Sequence, residues 1–219
     1  EGDAASVVDE ALAEARASSF LTHPNIVTVH DFAVDDRYAY IVMEYVDGVT
    51  LAELMARVEG GVLIWCEVAH VLRSVAAALA YAHDNGVLHL DIKPANVMVA
   101  RDGSVKLADF GMASIASAAG WGGARGGTVG YMPPEQLTGD LVDERTDVFA
   151  LAAVCYEALT GLRPFEATTP AASLKLIEKG APPLSDAEEG LGGPTTLAFQ
   201  PALAPSPAGR MTDPEEFAG

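Results

Sequence analysis

The segment Asp147–Gly161 is almost wholly apolar and is the strongest constraint on the fold of this chain. A helix that is apolar around most of its circumference has to be surrounded by other elements. Its longest near-continuous apolar stretch, Phe149–Tyr156, is far shorter than the ~20 residues that cross a bilayer. We therefore predict a buried central helix in a globular domain.

A second long helix is predicted over Ile64–Asn85, where Val68, Val75 and Leu79 belong to one apolar stripe at helical spacing. Gly86 follows at the position where a left-handed residue commonly ends a helix. Shorter helices are predicted over Val7–Leu21, Leu51–Val58, Thr169–Lys179 and Thr212–Ala218.

Two β-hairpins are predicted by β-rich runs around turn residues. The first joins Ile26–Val34 to Tyr38–Tyr45 through Asp35-Asp36, and the second joins Val97–Ala100 to Val105–Ala108 through Asp102-Gly103. Residues Met112–Gly127 are expected to form a loop, and Gly180–Pro207, rich in proline and glycine, a poorly ordered linker. The order of elements predicts an α+β chain with a small β-bearing part before residue 48.

The composition excludes several classes of function. The formal net charge of -18 opposes binding to nucleic acid or to an anionic membrane surface. The five histidines show no zinc-site spacing, and no charged start with an apolar core marks a signal peptide. Cys66 and Cys155 lie in apolar, helix-like surroundings, and we predict that both are buried, reduced thiols.

The residues with the clearest chemistry lie in the loop after the long helix. Asp91, Lys93 and Asn96 are close together there, and Asp109 follows the second hairpin. Carboxylate and amide oxygens suit Mg²⁺, which usually completes its shell with water and phosphate oxygens. A metal, a positive clamp and a carboxylate that orients a hydroxyl are the parts that phosphoryl transfer needs.

These residues occur in two recognisable motifs, His89-Leu90-Asp91-Ile92-Lys93-Pro94-Ala95-Asn96 and Asp109-Phe110-Gly111. Both resemble signatures of the eukaryotic-type (Hanks-type) serine/threonine protein kinases found in bacteria. Lys93 matches the serine/threonine variant of the loop rather than the tyrosine variant. The resemblance extends from about Glu14 to Phe165 and thins beyond that point.

The resemblance implies a two-lobed α+β fold with an incomplete β-rich small lobe and a mainly helical large lobe. Residues 1–45 would form part of the small lobe, and residues 46–179 the large lobe with its catalytic and activation loops. Residues 180–219 would be a poorly matched C-terminal part of the large lobe.

The resemblance also implies roles at the reaction centre, with ATP and Mg²⁺ as cofactors. Asp91 would accept or orient the hydroxyl proton, Lys93 would offset charge on the transferred phosphoryl group, and Asn96 and Asp109 would hold Mg²⁺. The adenine site would consist of Met43 as gatekeeper, the Glu44 carbonyl, the Val46 N–H group and Met98 beneath the ring.

Other residues would have structural roles by the same resemblance. Glu14 would pair with a phosphate-binding lysine, Thr128 would help hold Asp91 and Lys93, and Asp147 would anchor the backbone of the catalytic loop. Arg210 would pair with Glu135. His89, Phe110 and Gly111 complete the two motifs.

Besides the poorly matched region Gly180–Pro207, where two late helices would be expected, three departures from the family pattern limit these expectations. Residues 1–13 contain neither a glycine-rich loop nor a lysine, which predicts poor ATP binding by the chain as written. Leu90 replaces an arginine that normally receives an activation-loop phosphate, so we expect activity that does not depend on phosphorylation of Ser114, Ser117 or Thr128. Pro133 replaces the usual alanine and removes a backbone donor.

Three interpretations follow. The first is an N-terminally incomplete kinase that phosphorylates a protein Ser/Thr hydroxyl, located in the cytoplasm, without nucleic-acid partners or a membrane segment. The second is a catalytically weak or inactive kinase-like module for binding or scaffolding, and the third a helical structural protein with accidental motifs. The acidic balance also favours substrates with basic residues near the target hydroxyl.

Overall fold

A computed structural model describes residues 21–34, 39–110, 129–184 and 194–219. Its strands are β1 (Val29–Val34), β2 (Ala39–Met43), β3 (Gly48–Thr50), β4 (Val97–Ala100) and β5 (Val105–Leu107). Its helices are α1 (Leu51–Met55), α2 (Trp65–Asp84), α3 (Pro134–Thr138), α4 (Glu144–Thr160), α5 (Pro170–Lys179), α6 (Pro194–Ala202) and α7 (Pro214–Ala218). The predictions for Val7–Phe20, for Asp35-Asp36 and for Met112–Gly127 lie outside the described residues.

Helix α4 is the buried centre of the helical part, as predicted. Val148, Phe149 and Leu151 are each 0% exposed. The helix begins three residues earlier than predicted because Asp143 caps it, accepting a hydrogen bond from the Arg145 N–H group at 3.0 Å. Gly161 ends it in the left-handed conformation.

Helix α2 packs against α4, α7 and β5. Its predicted apolar stripe is confirmed, since Val75, Leu79 and Ala82 are each 0% exposed. The Glu67 carboxylate accepts a hydrogen bond from the Ile64 N–H group at 3.2 Å at the start of the helix, and left-handed Gly86 follows its end. In the described ranges, none of the helices is both long and apolar enough to cross a bilayer.

The strands form two antiparallel sheets, β1-β2 and β3-β4-β5. Both predicted hairpins are present, but the sequence did not predict β3. This strand lies so close to β4 that a Cβ atom on Gly48 would come within 2.2 Å of the Val99 carbonyl oxygen. The two sheets are joined by hydrogen bonds from Val27 N–H to Leu107 O at 2.9 Å and from Leu107 N–H to Asn25 O at 2.8 Å.

Two sequence predictions are wrong. The predicted linker contains helix α6, whose Phe199 and Ala202 are buried where α6 packs on α4. Proline at the start and near the end of α6 masked its apolar spacing. Cys155 is buried as predicted, but Cys66 is exposed because it lies on the solvent side of the first turn of α2.

Candidate active site

A buried aspartate anchors the loop that carries the predicted catalytic residues. Asp147, in the first turn of α4, is 0% exposed. Its Oδ2 atom accepts a hydrogen bond from the His89 N–H group at 2.8 Å, and its Oδ1 atom accepts one from the Leu90 N–H group at 2.8 Å. His83 Nε2 donates a third, at 2.9 Å, to Oδ2. These donors compensate the buried charge and fix the loop to the central helix.

Leu90 has the left-handed backbone conformation, with φ at 63°. This conformation costs a non-glycine residue about 1–2 kcal/mol. The Leu90 N–H group is held by Asp147, and its carbonyl oxygen accepts a hydrogen bond from Gln136 Nε2 at 2.7 Å. These two contacts maintain the strained backbone immediately before Asp91.

His89 connects the catalytic loop to the segment that leads to Asp109. Its side chain is buried, with Nε2 2.8 Å from the Ala108 carbonyl oxygen and Nδ1 3.2 Å from the Asp91 N–H group. Since a carbonyl only accepts and an N–H group only donates, the ring proton lies on Nε2. The ring of Phe110 meets His89 edge-on, with centroids 4.6 Å apart.

Asp91, Lys93 and Asn96 form one hydrogen-bonded group. Lys93 Nζ donates to Asp91 Oδ2 at 2.7 Å. Asn96 Nδ2 donates to the same oxygen at 3.2 Å and to the Asp91 carbonyl oxygen at 2.9 Å. The other carboxylate oxygen, Oδ1, has no hydrogen-bond partner within the part of the chain that the structure describes. Among the described residues, Asp91 is therefore held through Oδ2, while Oδ1 has no contact that would compete with a proton or a hydrogen bond from a substrate.

Asn96 and Asp109 come from separate segments that the backbone ties together. The Ala108 N–H group donates to the Asn96 carbonyl oxygen at 2.8 Å. Asp109 is exposed, has φ at 66°, and its carboxylate has no partner among residues 21–34, 39–110, 129–184 and 194–219. A carboxylate and an asparagine amide, whose segments are joined by the bond between Ala108 and Asn96, offer oxygen donors that fit Mg²⁺, which needs few protein ligands when phosphate is also bound.

The predicted adenine-binding residues lie around the join between the two sheets. Glu44 follows β2, and its Oε1 atom accepts hydrogen bonds from Lys106 Nζ at 2.8 Å and from the Thr28 N–H group at 2.7 Å. Burial alone would raise the pKa of Glu44, but Lys106 and Thr28 together lower it. Met98 pairs with Lys106 across β4 and β5.

Residues 43–46, which the resemblance identifies as the hinge of a kinase, include two backbone groups of the predicted adenine site. Neither the Glu44 carbonyl oxygen nor the Val46 N–H group has a hydrogen-bond partner in the described portion of the chain. Met43, at the end of β2, is 40% exposed. Within the described residues, one acceptor and one donor are thus without a partner beside an apolar side chain, as the edge of a purine requires.

A buried ion pair joins the first turn of α3 to the segment before α7. Arg210 Nη1 is 2.6 Å from Glu135 Oε1, and Nη2 is 3.1 Å from Oε2. Thr146 Oγ1 donates to Glu135 at 3.0 Å, and the guanidinium carbon lies 4.7 Å from the centre of the Phe149 ring. The contact between Arg210 and Glu135 that the resemblance implies is therefore present.

The remaining sequence predictions divide into two groups. Glu14, Gly111 and Thr128 lie outside the described residues. Pro133 is described and precedes helix α3, where its carbonyl oxygen accepts hydrogen bonds from Gln136 N–H at 3.1 Å and from Leu137 N–H at 3.2 Å. A proline is tolerated here because its missing N–H group is not needed at the start of a helix.

Sequence reasoning missed three residues that support the site, namely His83, Lys106 and Gln136. Each acts on a partner far along the chain, such as Asp147, which lies 64 residues after His83. No local pattern signals such a contact. His83 Nδ1 is also the one buried side-chain polar atom of the described residues that has no hydrogen-bond partner.

The site consists of an anchored loop with Asp, Lys and Asn, followed by Asp-Phe-Gly at the end of a hairpin. In an α+β fold of this kind, these features define a protein kinase domain. The family model for the protein kinase domain matches residues 2–187, and the chain belongs to this family. The match extends beyond Phe165, where the sequence resemblance was expected to thin.

Curated relatives and solved structures agree with this assignment. The serine/threonine-protein kinase PknB of Mycobacterium tuberculosis (strain H37Rv) is 37% identical over 213 residues, which cover 93% of this chain and 34% of that protein. The serine/threonine-protein kinase PrkC of Bacillus subtilis is 39% identical over 155 residues, or 70% of this chain and 24% of that protein. The chain thus spans about a third or less of the length of these relatives.

The kinase domain of Mycobacterium tuberculosis PknI has a similar crystal structure. It is 33% identical, with a TM-score of 0.78, and the match covers 96% of this chain and 76% of that one. The expected α+β kinase fold, with a small sheet portion and a helical portion, is confirmed.

Proposed function

We propose that this chain is the catalytic part of a serine/threonine protein kinase that transfers the γ-phosphoryl group of ATP to a protein Ser/Thr hydroxyl. The observation that carries the proposal is the group formed by Asp91, Lys93 and Asn96, in which one carboxylate oxygen of Asp91 is held and the other has no partner among the described residues. This is the arrangement that a base for a hydroxyl nucleophile requires.

The proposed mechanism depends on positions that are set before substrate binds. Asp91 accepts a hydrogen bond from the substrate hydroxyl through Oδ1 and receives its proton during transfer. Lys93, close enough to pair with Asp91, offsets negative charge on the moving phosphoryl group. Asp147 and Gln136 hold the backbone of Leu90, so the base needs little rearrangement at the moment of reaction.

Asn96 and Asp109 would hold Mg²⁺, for which their oxygen donors are suitable. When bound, the ion neutralises charge on the phosphates. His89 supports this pair indirectly, because it links the Asp91 backbone to the Ala108 carbonyl next to Asp109.

The hinge residues would bind the adenine of ATP. The open Glu44 carbonyl and Val46 N–H group would contact its polar edge, with Met43 and Met98 packing against the ring. Glu14 would pair with a phosphate-binding lysine. Residues 1–13 contain no lysine and no glycine-rich loop, so the experiments use the protein encoded by the full coding sequence. We place this protein's kinase domain in the cytoplasm, where ATP is available.

The test is a phosphotransfer assay with labelled ATP, Mg²⁺ and a mixture of Ser/Thr peptides. We expect Asp91→Asn and Asp109→Asn to lower kcat by about 100-fold or more, because each removes a charge used in the transition state. Asp84→Asn, at the exposed end of α2, is the matched control and should retain activity within about twofold.

Two results would contradict the proposal. One is equal activity of the parent and both active-site variants. The other is nucleotide binding without transfer to any peptide, which would support the kinase-like binding module instead.

A further inference from the structure

A cavity of about 450 Å³ opens beside the catalytic loop. It lies between α1, the turn that begins with Lys93-Pro94, and the end of α4. We call it the Lys93 cavity and define it by Ala52, Met55, Val58, Lys93, Glu157 and Arg163. Because Lys93 is two residues from Asp91, a peptide whose Ser/Thr reaches Asp91 can place a neighbouring side chain here.

A paired carboxylate forms the polar part of this cavity. The Tyr131 hydroxyl donates to Glu157 Oε2, and Arg163 Nε donates to Oε1 at 3.2 Å. The guanidinium carbon of Arg163 also lies 5.3 Å from the centre of the Tyr131 ring. Burial, followed by the hydrogen bond to Glu157, raises the pKa of Tyr131, so the phenol remains a donor at neutral pH.

The charges around the cavity do not favour a basic ligand. Among its described lining residues, Glu157 is the only carboxylate, and both of its oxygens already have donors. Lys93 and Arg163 are positive. An arginine or lysine that entered would lose its hydration, find no unpaired carboxylate, and lie near two like charges.

The opposite wall is apolar. Met55 and Val58, from α1 and the residues after it, face the same space as the aliphatic part of Arg163. Val58 is 39% exposed and lines this cavity, so part of its apolar surface is accessible to a ligand side chain. An apolar side chain can therefore bury its surface in this cavity without leaving a charge unpaired.

We propose that the Lys93 cavity receives a side chain adjacent in sequence to the target Ser/Thr and selects an apolar one. The selectivity arises because Arg163 of this chain already pairs with Glu157, which leaves no carboxylate for a basic side chain of the substrate. The proposal rests on the proposed kinase function and names its substrate class. At this cavity it differs from the expectation, drawn from net charge alone, that substrates carry basic residues near the target hydroxyl.

Removing Arg163 should reverse the selectivity. In Arg163→Met the aliphatic stem is largely kept, but one oxygen of Glu157 loses its donor and the local charge becomes more negative. A substrate arginine could then replace the missing guanidinium. In the double variant Arg163→Met/Glu157→Gln the carboxylate is absent, so the improved use of substrates with arginine should disappear.

The experiment uses the full-length protein and peptides with a single Ser, in which each flanking position carries either Leu or Arg. The measured quantity is the ratio of kcat/KM for Leu to that for Arg at each position. We expect the parent to prefer Leu at one position, Arg163→Met to shift that ratio at least about tenfold toward Arg, and the double variant to lose the shift. Arg73→Ala, on the exposed side of α2, is the control and should match the parent.

A parent that prefers Arg at every sensitive position would overturn the proposal, as would an unchanged ratio in Arg163→Met. Thermal unfolding of each variant separates a selectivity change from loss of fold. If the parent phosphorylates no peptide, the proposed kinase function fails. The same Leu and Arg peptides are then compared by fluorescence anisotropy, where an absence of the Arg163-dependent reversal overturns the cavity proposal independently.

Discussion

The carboxylate of Asp147 holds the backbone N–H group of Leu90 at 2.8 Å, although the two residues are 57 positions apart. Leu90 has a left-handed conformation that a leucine rarely adopts. The central helix therefore imposes a strained backbone on the residue before Asp91. The geometry of the candidate base depends on this contact.

We predict that Asp147→Asn lowers both stability and activity. An amide cannot accept at both former oxygen positions, so one buried N–H group loses its partner, at a cost of about 1–3 kcal/mol. Chemical denaturation and the peptide kinase assay measure the two effects, and we expect kcat to fall at least about tenfold as the loop loses its fixed geometry. Asp84→Asn is the control. Full activity in a destabilised Asp147→Asn protein would show that the anchor supports the fold alone.

We predict that activity does not depend on phosphorylation of the loop after Asp109. Leu90 lies where the resemblance implies an arginine and offers no cation for a phosphate, so added phosphate gains no ordering contact there. Ser114→Ala/Ser117→Ala should keep kcat/KM within about twofold of the parent. The comparison is made on protein treated with phosphatase and on untreated protein. A loss of most activity in the variant would refute the prediction.

We predict that the two thiols differ strongly in reactivity. Cys66 is exposed, whereas burial raises the pKa of Cys155 to about 12. Since the thiolate is the reactive form, Ellman's reagent at pH 8 should label Cys66 quickly and Cys155 only after unfolding in guanidinium. Cys66→Ser should abolish the fast phase. A fast phase that survives in this variant would mean that Cys155 is accessible in the folded protein.

We predict a pH-dependent contribution from the pair of Glu44 and Lys106. The folded-state pKa of Glu44 is lower than its ordinary value of 4.5, so the ionised form stabilises the fold. This contribution is present above pH 4.5 and is lost as the pH falls through the lower folded-state value. Glu44→Gln should therefore be less stable than the parent by about 0.5–1 kcal/mol near pH 7, and the difference should shrink in acid.

The measurement for this pair is urea unfolding across the acid range. Glu166→Gln, on an exposed residue, controls for the loss of one negative charge from an acidic chain. A difference between Glu44→Gln and the parent that stays constant down to pH 3 would exclude the proposed ionisation. If Glu44→Gln and Glu166→Gln lower the free energy of unfolding by the same amount, the effect of Glu44→Gln comes from net charge and not from its pair with Lys106.

Local sequence patterns were sufficient for the long helices, both hairpins and the motif residues. The apolar stripe of α2, the almost wholly apolar centre of α4 and the turn at Asp102-Gly103 are properties of neighbouring residues, and short-range sterics and burial determine them. The motif around Asp91 likewise identified the candidate chemistry, because its residues are adjacent in the chain.

Tertiary structure decided the features that depend on distant partners or on the direction that a side chain faces. Helix α6 forms because Phe199 and Ala202 find a surface on α4, which outweighs the local effect of proline. Cys66 is exposed although Ile64, Trp65 and Val68 nearby are apolar, because its position around the helix axis sets the direction of its side chain. The strain at Leu90 and the pairing of Glu157 with Arg163 require groups that only the folded chain brings together. Long-range contacts of this kind have no local signature, since their energy appears only after the chain has closed the intervening loops.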